Sequence, residues 1–257
     1  MLKLSHIYKT FNAGTVDEKH LFEDFSMEIS RGEFVSVIGS NGSGKTTMLN
    51  IISGDVMPDG GSVFLGGNDI TKTLNYKRAR KMARVFQNPA NGTCPAMTIF
   101  QNLSIADNKG KSFNLTKGLN TARKDFYRSL LETLGMGLED RLETLTGALS
   151  GGQRQALALI MATISGPDVL LLDEHTAALD PKSADVVMRL TEKVVSEQNI
   201  TTIMITHNLR YAAEYGTRAL MMHDGKAVLD ISGEEKKKRD VTDYLDVFNE
   251  ISIECGN

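Results

Sequence analysis

The sequence is poor in the residues that define several protein classes. Only two of its 257 residues are cysteine, Cys94 and Cys255. Two cannot build a disulfide framework or a dense metal cluster, so a reducing, cytosolic setting is expected. Proline occurs five times against 23 glycines. That excludes a Pro-rich linker or tail and points instead to tight turns and close backbone approaches. Long apolar runs are missing too: the longest largely apolar stretch, residues 156–164, falls short of the roughly 18 residues a membrane span needs. Residues 1–10 carry Lys3, His6 and Lys9 but no apolar core, which argues against a secretory signal. Neither sign of charge dominates. Lys and Arg number 29, Asp and Glu 32, and the net charge is −3, which is not the balance of a surface built to bind nucleic acid. No repeat of 20–50 residues is visible.

What is present is the composition of an ordinary globular protein, 41% hydrophobic and 24% charged, long enough for one large or two small domains. Residues 34–38 form a short β-branched run that reads as a buried strand, and Lys45–Ser53 reads as a helix stopped by Gly54. Strands are expected at Gly60–Leu65 and at residues 84–86. Beyond Gln87 the texture changes to helical patterns at Ile99–Asp107 and at residues 121–134 and 151–165, with no convincing strand. Strand character returns at residues 169–172 and 201–206 and at Arg218–His223, with the helix Pro181–Gln198 between the first two. Alternating strands and helices imply a mainly parallel α/β sheet with an inserted helical lobe. Near the end, Val241, Leu245, Phe248 and Ile251 recur at helical spacing and are expected to pack on the core. The charge run at residues 234–239 reads as a solvated helix end or turn, with a membrane-surface patch as the alternative.

Gly39-Ser40-Asn41-Gly42-Ser43-Gly44-Lys45-Thr46 matches G-x-x-x-x-G-K-[ST]. Glycines let backbone N–H groups turn inward around phosphate oxygens, and the helix that follows presents its positive end to the same anion. Lys45 is placed to reach the β- and γ-phosphates, and Thr46 to offer a hydroxyl to Mg²⁺, a cation that prefers hard oxygen ligands. The loop follows one expected strand and opens one expected helix, the setting that separates a nucleotide site from a glycine-rich surface turn.

A second apolar strand ends in adjacent acids, Asp173 and Glu174. Such charges need a partner, and Mg²⁺ supplies one. Asp173 fits the metal-holding role, and Glu174 the role of orienting or deprotonating a water. His175 follows; without a Cys/His partner at ligand spacing, a metal or triad role is the minor reading. A third element, Leu149-Ser150-Gly151-Gly152-Gln153, again puts a hydroxyl and glycine N–H groups at the start of a helix. Two phosphate-binding devices in one chain make sense if the second serves a nucleotide held by another subunit.

At this point the sequence resembles the ATP-binding cassette (ABC) ATPases over nearly its whole length. Residues 149–153 match that family's signature run, Gln87 its Q-loop, residues 178–180 ending in Asp180 its D-loop, and His207 its switch histidine. Phe11 matches the aromatic that stacks on adenine, with Tyr8 less favoured by position. The family commonly has Ser or Pro where His175 stands, a small departure. The resemblance implies an α/β fold: a P-loop NTPase (RecA-like) core with an antiparallel β subdomain and an inserted α-helical subdomain. It implies one cassette: residues 1–87 and 166–230 as nucleotide-binding lobe, 88–165 as helical lobe, 231–257 as tail.

The roles implied are ATP and Mg²⁺ as cofactors and ATP hydrolysis as the activity. Phe11, Gly39, Ser40, Asn41, Gly42, Ser43, Gly44, Lys45, Thr46 and Thr47 would bind ATP. Ser150, Gly151, Gly152, Gln153 and Asp180 would act on the nucleotide of the opposite subunit. Thr46, Gln87 and Asp173 would serve the metal, and Glu174, His207 and Gln87 catalysis. The implied partners are a second copy in a head-to-tail pair and membrane permease subunits, reached near Gln87 and residues 88–98. Indirectly, a solute-binding lipoprotein is also implied. The implied place is the cytoplasmic face of the membrane. Residues 11–19, 173–180 and 232–238 look like those of bacterial amino-acid-type importers, some associated with tryptophan or tyrosine. The alternatives are an exporter or lipoprotein-extruding system, and a soluble ABC ATPase acting on nucleic acid. A simple P-loop kinase would have no need of residues 149–153. Cys94 and Cys255 are left without chemistry.

Overall fold

Alternation opens the chain: Leu2, Leu4 and Ile7 are fully buried, with exposed or half-buried residues between them, the signature of a strand with one face on the core. The computed structural model describes residues 1–111 and 118–254. In chain order it begins with β1 (Leu2–Phe11), β2 (Lys19–Ile29), β3 (Phe34–Gly39), α1 (Lys45–Ser53), β4 (Gly60–Leu65), β5 (Asn68–Asp69) and α2 (Asn75–Arg78). Next come β6 (Met82–Val85), α3 (Ile99–Asp107), α4 (Lys124–Glu132), α5 (Gly151–Thr163), β7 (Val169–Asp173) and α6 (Pro181–Gln198). The chain closes with β8 (Thr201–Ile205), α7 (Leu209–Glu214), β9 (Arg218–His223), β10 (Lys226–Ser232), α8 (Gly233–Lys237) and α9 (Val241–Glu254). Packing divides it into two units, Met1–Ala79 with Asn199–Asn257, and Arg80–Gln198.

The first unit holds two sheets. One is antiparallel, in the order β2-β1-β4-β5. In the other, β3 lies parallel between β8 and β9, and β10 closes the edge antiparallel to β9. Every residue of β3 and of β8 is buried, as expected for parallel strands covered on both faces. The expected helix Lys45–Ser53 and strands Gly60–Leu65 and Arg218–His223 are found with those bounds. Strands β1, β2 and β10 carry too many charges on their open faces to stand out as apolar runs.

Two expectations for the tail are corrected. Leu245 is 42% exposed, and the fully buried residue of α9 is Tyr244, packed with Ile38, Ala212 and Met221 and flanked by Val247 and Phe248. The expected core contact of Phe248 is thus found, and the half-buried Val241 lies on the same face, but a tyrosine fills its centre in place of Leu245. The side chain of Ile251, like Cys255, lies outside the described residues. Within the charge run, Lys236 is buried at 4% exposure. Its ammonium donates to the carbonyls of Ala213, Tyr215 and Gly216 at 2.9–3.0 Å, capping carbonyls left over where α7 ends. The rest of the run is mostly exposed.

The second unit contains the helical stretch and also the parallel pair β6–β7. Among the described residues between Gln87 and residue 165 there is no strand, only an isolated bridge from Thr98 to Leu145. Helix α3 starts with a reciprocal capping box, Thr98 with Gln101. Asn102, 2% exposed, ties the preceding loop by bonds to the Cys94, Met97 and Thr98 carbonyls. Cys94 is half-buried in that loop. The pattern at 121–134 resolves into a 3-10 turn, Thr121–Arg123, followed by α4.

Candidate nucleotide site

In the first unit the loop after β3 is built from glycines that no other residue could replace without strain. Gly39, Gly42 and Gly44 have φ of 145°, 79° and 103°, which L side chains rarely adopt. A Cβ on Gly39 would sit 2.1 Å from the Met222 carbonyl oxygen, and one on Gly44 2.9 Å from the Phe22 ring. Helix α1 therefore begins at a left-handed glycine with no side-chain cap, and its first N–H groups face into the loop. Lys45, 5% exposed, sends its ammonium back through the turn to the carbonyls of Gly39 and Ser40, 2.8 Å each. Ser43 is buried, Ser40 and Thr47 half-buried, and Asn41 and Thr46 exposed. A cradle of inward amides, a cation at its centre and a hydroxyl at its mouth fit a nucleotide phosphate chain and its Mg²⁺.

Register brings the histidine to this loop. Val37 of β3 pairs with Ile205 of β8, and Thr206 donates to the Val37 carbonyl at 3.1 Å. Gly39 and His207 each stand two residues past that pair, at the same sheet edge. His207 is exposed, and Asn208 caps the following α7 through bonds from Arg210 and Tyr211 N–H. His207, Ser40 and Asn41 line one cavity of about 330 Å³. Phe11 ends β1, 36% exposed, with the Lys9 ammonium 5.5 Å above its ring. It pairs with Lys19 across the sheet, and Lys19 reaches within 3.8 Å of the Cβ position of Gly42. The antiparallel sheet thus carries Phe11 toward the phosphate loop. Tyr8 lies over Gly60.

The second unit holds the remaining candidates. Asp173 ends β7 and Glu174 follows it with φ of 49°, a left-handed conformation that costs a non-glycine residue about 1–3 kcal/mol and marks functional turns. The charge on Asp173 already has a protein partner, which sequence reasoning missed: the Arg84 guanidinium is 2.5 Å away, with both side chains about 15% exposed. Arg84 alternates into β6 like an ordinary strand residue, and only its pairing beside β7 reveals it. His175 is 1% exposed and shares a hydrogen bond of 3.2 Å with the Thr191 hydroxyl. Burial pushes its pKa down to about 4, so it is a neutral core residue at pH 7. Among the described residues no group of three or more His, Cys, Asp or Glu could hold a metal by itself.

Helix α5 starts with a second reciprocal box. The Ser150 hydroxyl accepts from Gln153 N–H, and the Gln153 side-chain oxygen accepts from Ser150 N–H, each at 3.2 Å. The Ser150 hydroxyl keeps its own proton to donate elsewhere. Gly152 is required by packing: its Cβ would meet the Ser183 side chain at 3.0 Å, and that of Gly151 would meet Leu179 at 3.3 Å. Asp180 accepts from Ser183 N–H at 3.0 Å at the start of α6. The hydrogen bond from the Ser183 side chain holds its carboxyl below the usual range. Gln87 is exposed in the bend after β6. Beside it a cavity of about 380 Å³ is lined by Arg84, Phe86, Pro89, Gly92, Ile105 and Ala158, among others.

Residues 22–177 match the family model described as ABC transporter. The chain is 48% identical over 248 residues to a tyrosine transport ATP-binding protein of Clostridioides difficile (strain R20291), covering 96% of this chain and 98% of that one. It is 33% identical over 226 residues to the thiamine import ATP-binding protein ThiQ of Shigella flexneri, covering 88% and 89%. Among solved structures it is similar to the dimeric, post-hydrolysis ATP-binding cassette MJ0796 bound to ADP and Pi. There the TM-score is 0.75 at 28% identity, over 90% of this chain and 98% of that one.

Proposed function

This chain belongs to the ABC transporter family, and we propose that it powers import of an amino acid, with an aromatic one such as tyrosine as cargo. It is an ATP-binding cassette ATPase that uses Mg²⁺. The phosphate cradle around the buried Lys45 carries the reading of its chemistry. The cargo reading is supported by the relative at 48% identity whose name includes tyrosine transport.

In this reading the loop amides of residues 39–44 and the Lys45 ammonium hold the phosphates, and Phe11 stacks on the base. Thr46, Asp173 and Gln87 would supply oxygens to Mg²⁺, which would neutralise charge on the phosphate oxygens. Glu174 orients the attacking water and draws off its proton, and His207 donates to the γ-phosphate. Ser150 donates its hydroxyl, with the N–H groups of Gly151 and Gly152, to the nucleotide of a second copy. Gln153 holds that hydroxyl in place, and Asp180 faces the same partner. ATP thereby joins two copies head to tail, and hydrolysis releases them. A permease helix seats in the cavity beside Gln87, which places the chain on the cytoplasmic face of the membrane. No helix among the described residues is long and apolar enough to cross a membrane. A lipoprotein receptor outside the cell delivers the cargo. Within the fold, residues 1–87 and 166–230 serve as the nucleotide lobe, 88–165 as the helical lobe and 231–257 as the tail.

The test is co-expression with a tyrosine-transport permease and solute receptor, followed by ATP-driven uptake of labelled tyrosine into vesicles. Uptake lost in Glu174→Gln is expected. ATP-driven extrusion instead of uptake overturns the direction, and uptake of thiamine but not tyrosine overturns the cargo. ATPase activity stimulated by DNA or RNA supports the nucleic-acid alternative.

A further inference from the structure

Gln155 lies one turn into α5 and is fully buried. A buried amide in a helix otherwise packed with Ala156, Leu157, Leu159 and Ile160 is costly unless it bonds. Its side-chain nitrogen donates to the Phe86 carbonyl at 3.0 Å, the carbonyl that immediately precedes Gln87. Its side-chain oxygen has no hydrogen-bond partner among the described residues, so the donor contact is the one that fixes the rotamer. Phe86 in turn lies under the Arg84 guanidinium, 5.0 Å from ring centroid to cation, and the same guanidinium holds Asp173 at 2.5 Å. Arg84 and Phe86 also line the cavity beside Gln87. One continuous set of contacts within the second unit therefore joins the helix that Ser150 caps, the Gln87 bend and the Asp173 carboxylate.

We propose that Gln155 and Arg84 are positioning residues: with Phe86 between them, they form a relay that fixes the Gln87 bend and the Asp173 carboxylate relative to the signature helix. The relay rests on the site assignments proposed above for Gln87, Asp173 and Ser150. Arg84 fixes the carboxylate by a charge-assisted bond and a stacked plane, a combination that lysine does not reproduce. Gln155 fixes the backbone from which Gln87 projects. Because Phe86 and Arg84 form a wall of the neighbouring cavity, an object seated there presses on the same relay.

A double-mutant cycle tests it. Gln155→Met keeps side-chain length and removes the donor, and Arg84→Met removes the charge. Each is expected to lower kcat about fivefold, the worth of one hydrogen bond, with KM for ATP within about twofold because neither is among the residues proposed to hold the phosphates. The double variant should be no slower than the worse single variant. A second readout needs no turnover: Mn²⁺ affinity of the ATP-bound Glu174→Gln protein, followed by electron paramagnetic resonance. Arg84→Met should shift that affinity at least about threefold through the altered carboxylate. Adding Gln155→Met to the Glu174→Gln protein should shift it in the same direction. Should Gln155→Met fail to fold, Gln155→Leu replaces it, an apolar residue of similar volume with no donor. Losses that multiply in the double variant overturn the relay. So does a Gln155 variant with parental kcat and Mn²⁺ affinity. Full turnover by Glu174→Gln alone strikes instead at the site assignments on which the relay rests.

Discussion

Two helix starts in this molecule are suited to an anion, and they are made by opposite means. Helix α1 has no side-chain cap; it begins at Gly44 in a left-handed conformation, behind two more glycines at positive φ. Its donors are kept open by a backbone conformation that glycine alone adopts without strain and gathered round a buried ammonium. Helix α5 begins at Ser150 in an extended conformation with a closed capping box. Gly151 and Gly152 have no positive φ, and a Cβ on either would press on a side chain, Leu179 or Ser183 of α6. The first start is a cradle that depends on conformation. The second is a self-satisfied cap that offers one hydroxyl proton beside an exposed Gly151 and a buried Gly152. The difference teaches that glycine can open a helix for two unrelated reasons, and substitutions tell them apart.

The largest effects belong to the cradle. Lys45→Ala should lower Mg²⁺-dependent ATPase on the order of a hundredfold or more, as loss of a charged contact to the reacting phosphate does, and should weaken ATP binding in a calorimetric titration. Gly39→Ala should cost more than about 3 kcal/mol, because strain and a 2.1 Å clash with the Met222 carbonyl coincide; no partner substitution relieves a backbone clash. Gly152→Ala is the contrasting case. Its Cβ meets a side chain, so overpacking of about 1–3 kcal/mol is expected, and Ser183→Gly should recover part of it in thermal melts. A Gly152 variant that no change at Ser183 improves would make the two starts alike after all.

How much of this was legible in the sequence follows from the same contrast. The cradle could be read nearly residue by residue, because conformational demands are written locally: glycine where φ is positive, lysine and threonine where the helix opens. The signature start was legible as a hydroxyl-glycine helix opening. That Gly152 answers to Ser183 was not, since α6 is distant in sequence. The Arg84–Asp173 pair was invisible for the same reason, so Mg²⁺ was the one partner for that charge legible in the sequence. In the tail, helical spacing located α9 and its core-packed Phe248 but took Leu245 for a core residue where Tyr244 makes the contact, because a polar-tipped residue was not counted as apolar. Lys236 sat in a run that is otherwise solvated, and only the end of α7 explains its burial.

The comparison extends to acid. Behind Glu174 the second unit buries His175, whose pKa falls from 6.5 to about 4. The unfolded chain binds this proton at higher pH than the folded one. Stability is therefore full above about pH 6.5 and declines as pH falls toward 4, by up to about 3 kcal/mol. His175→Gln should flatten that part of a plot of melting temperature against pH. A slope unchanged by the substitution would show that the acid sensitivity arises elsewhere.

The smallest expected change in stability is the sharpest test of what the second start is for. Ser150→Ala removes an N-cap and should cost about 1 kcal/mol. Ser150→Asp keeps an acceptor for Gln153 N–H and adds a negative charge that the helix start favours, so its melting temperature should match or exceed that of the parent. If residue 150 only caps α5, Ser150→Asp keeps full ATPase activity. If its hydroxyl donates to phosphate, the carboxylate has no proton to give and repels the anion, and turnover falls at unchanged stability. Measuring both quantities in these two variants separates a cap from a phosphate-binding group, because Ser150→Asp restores the first and removes the second.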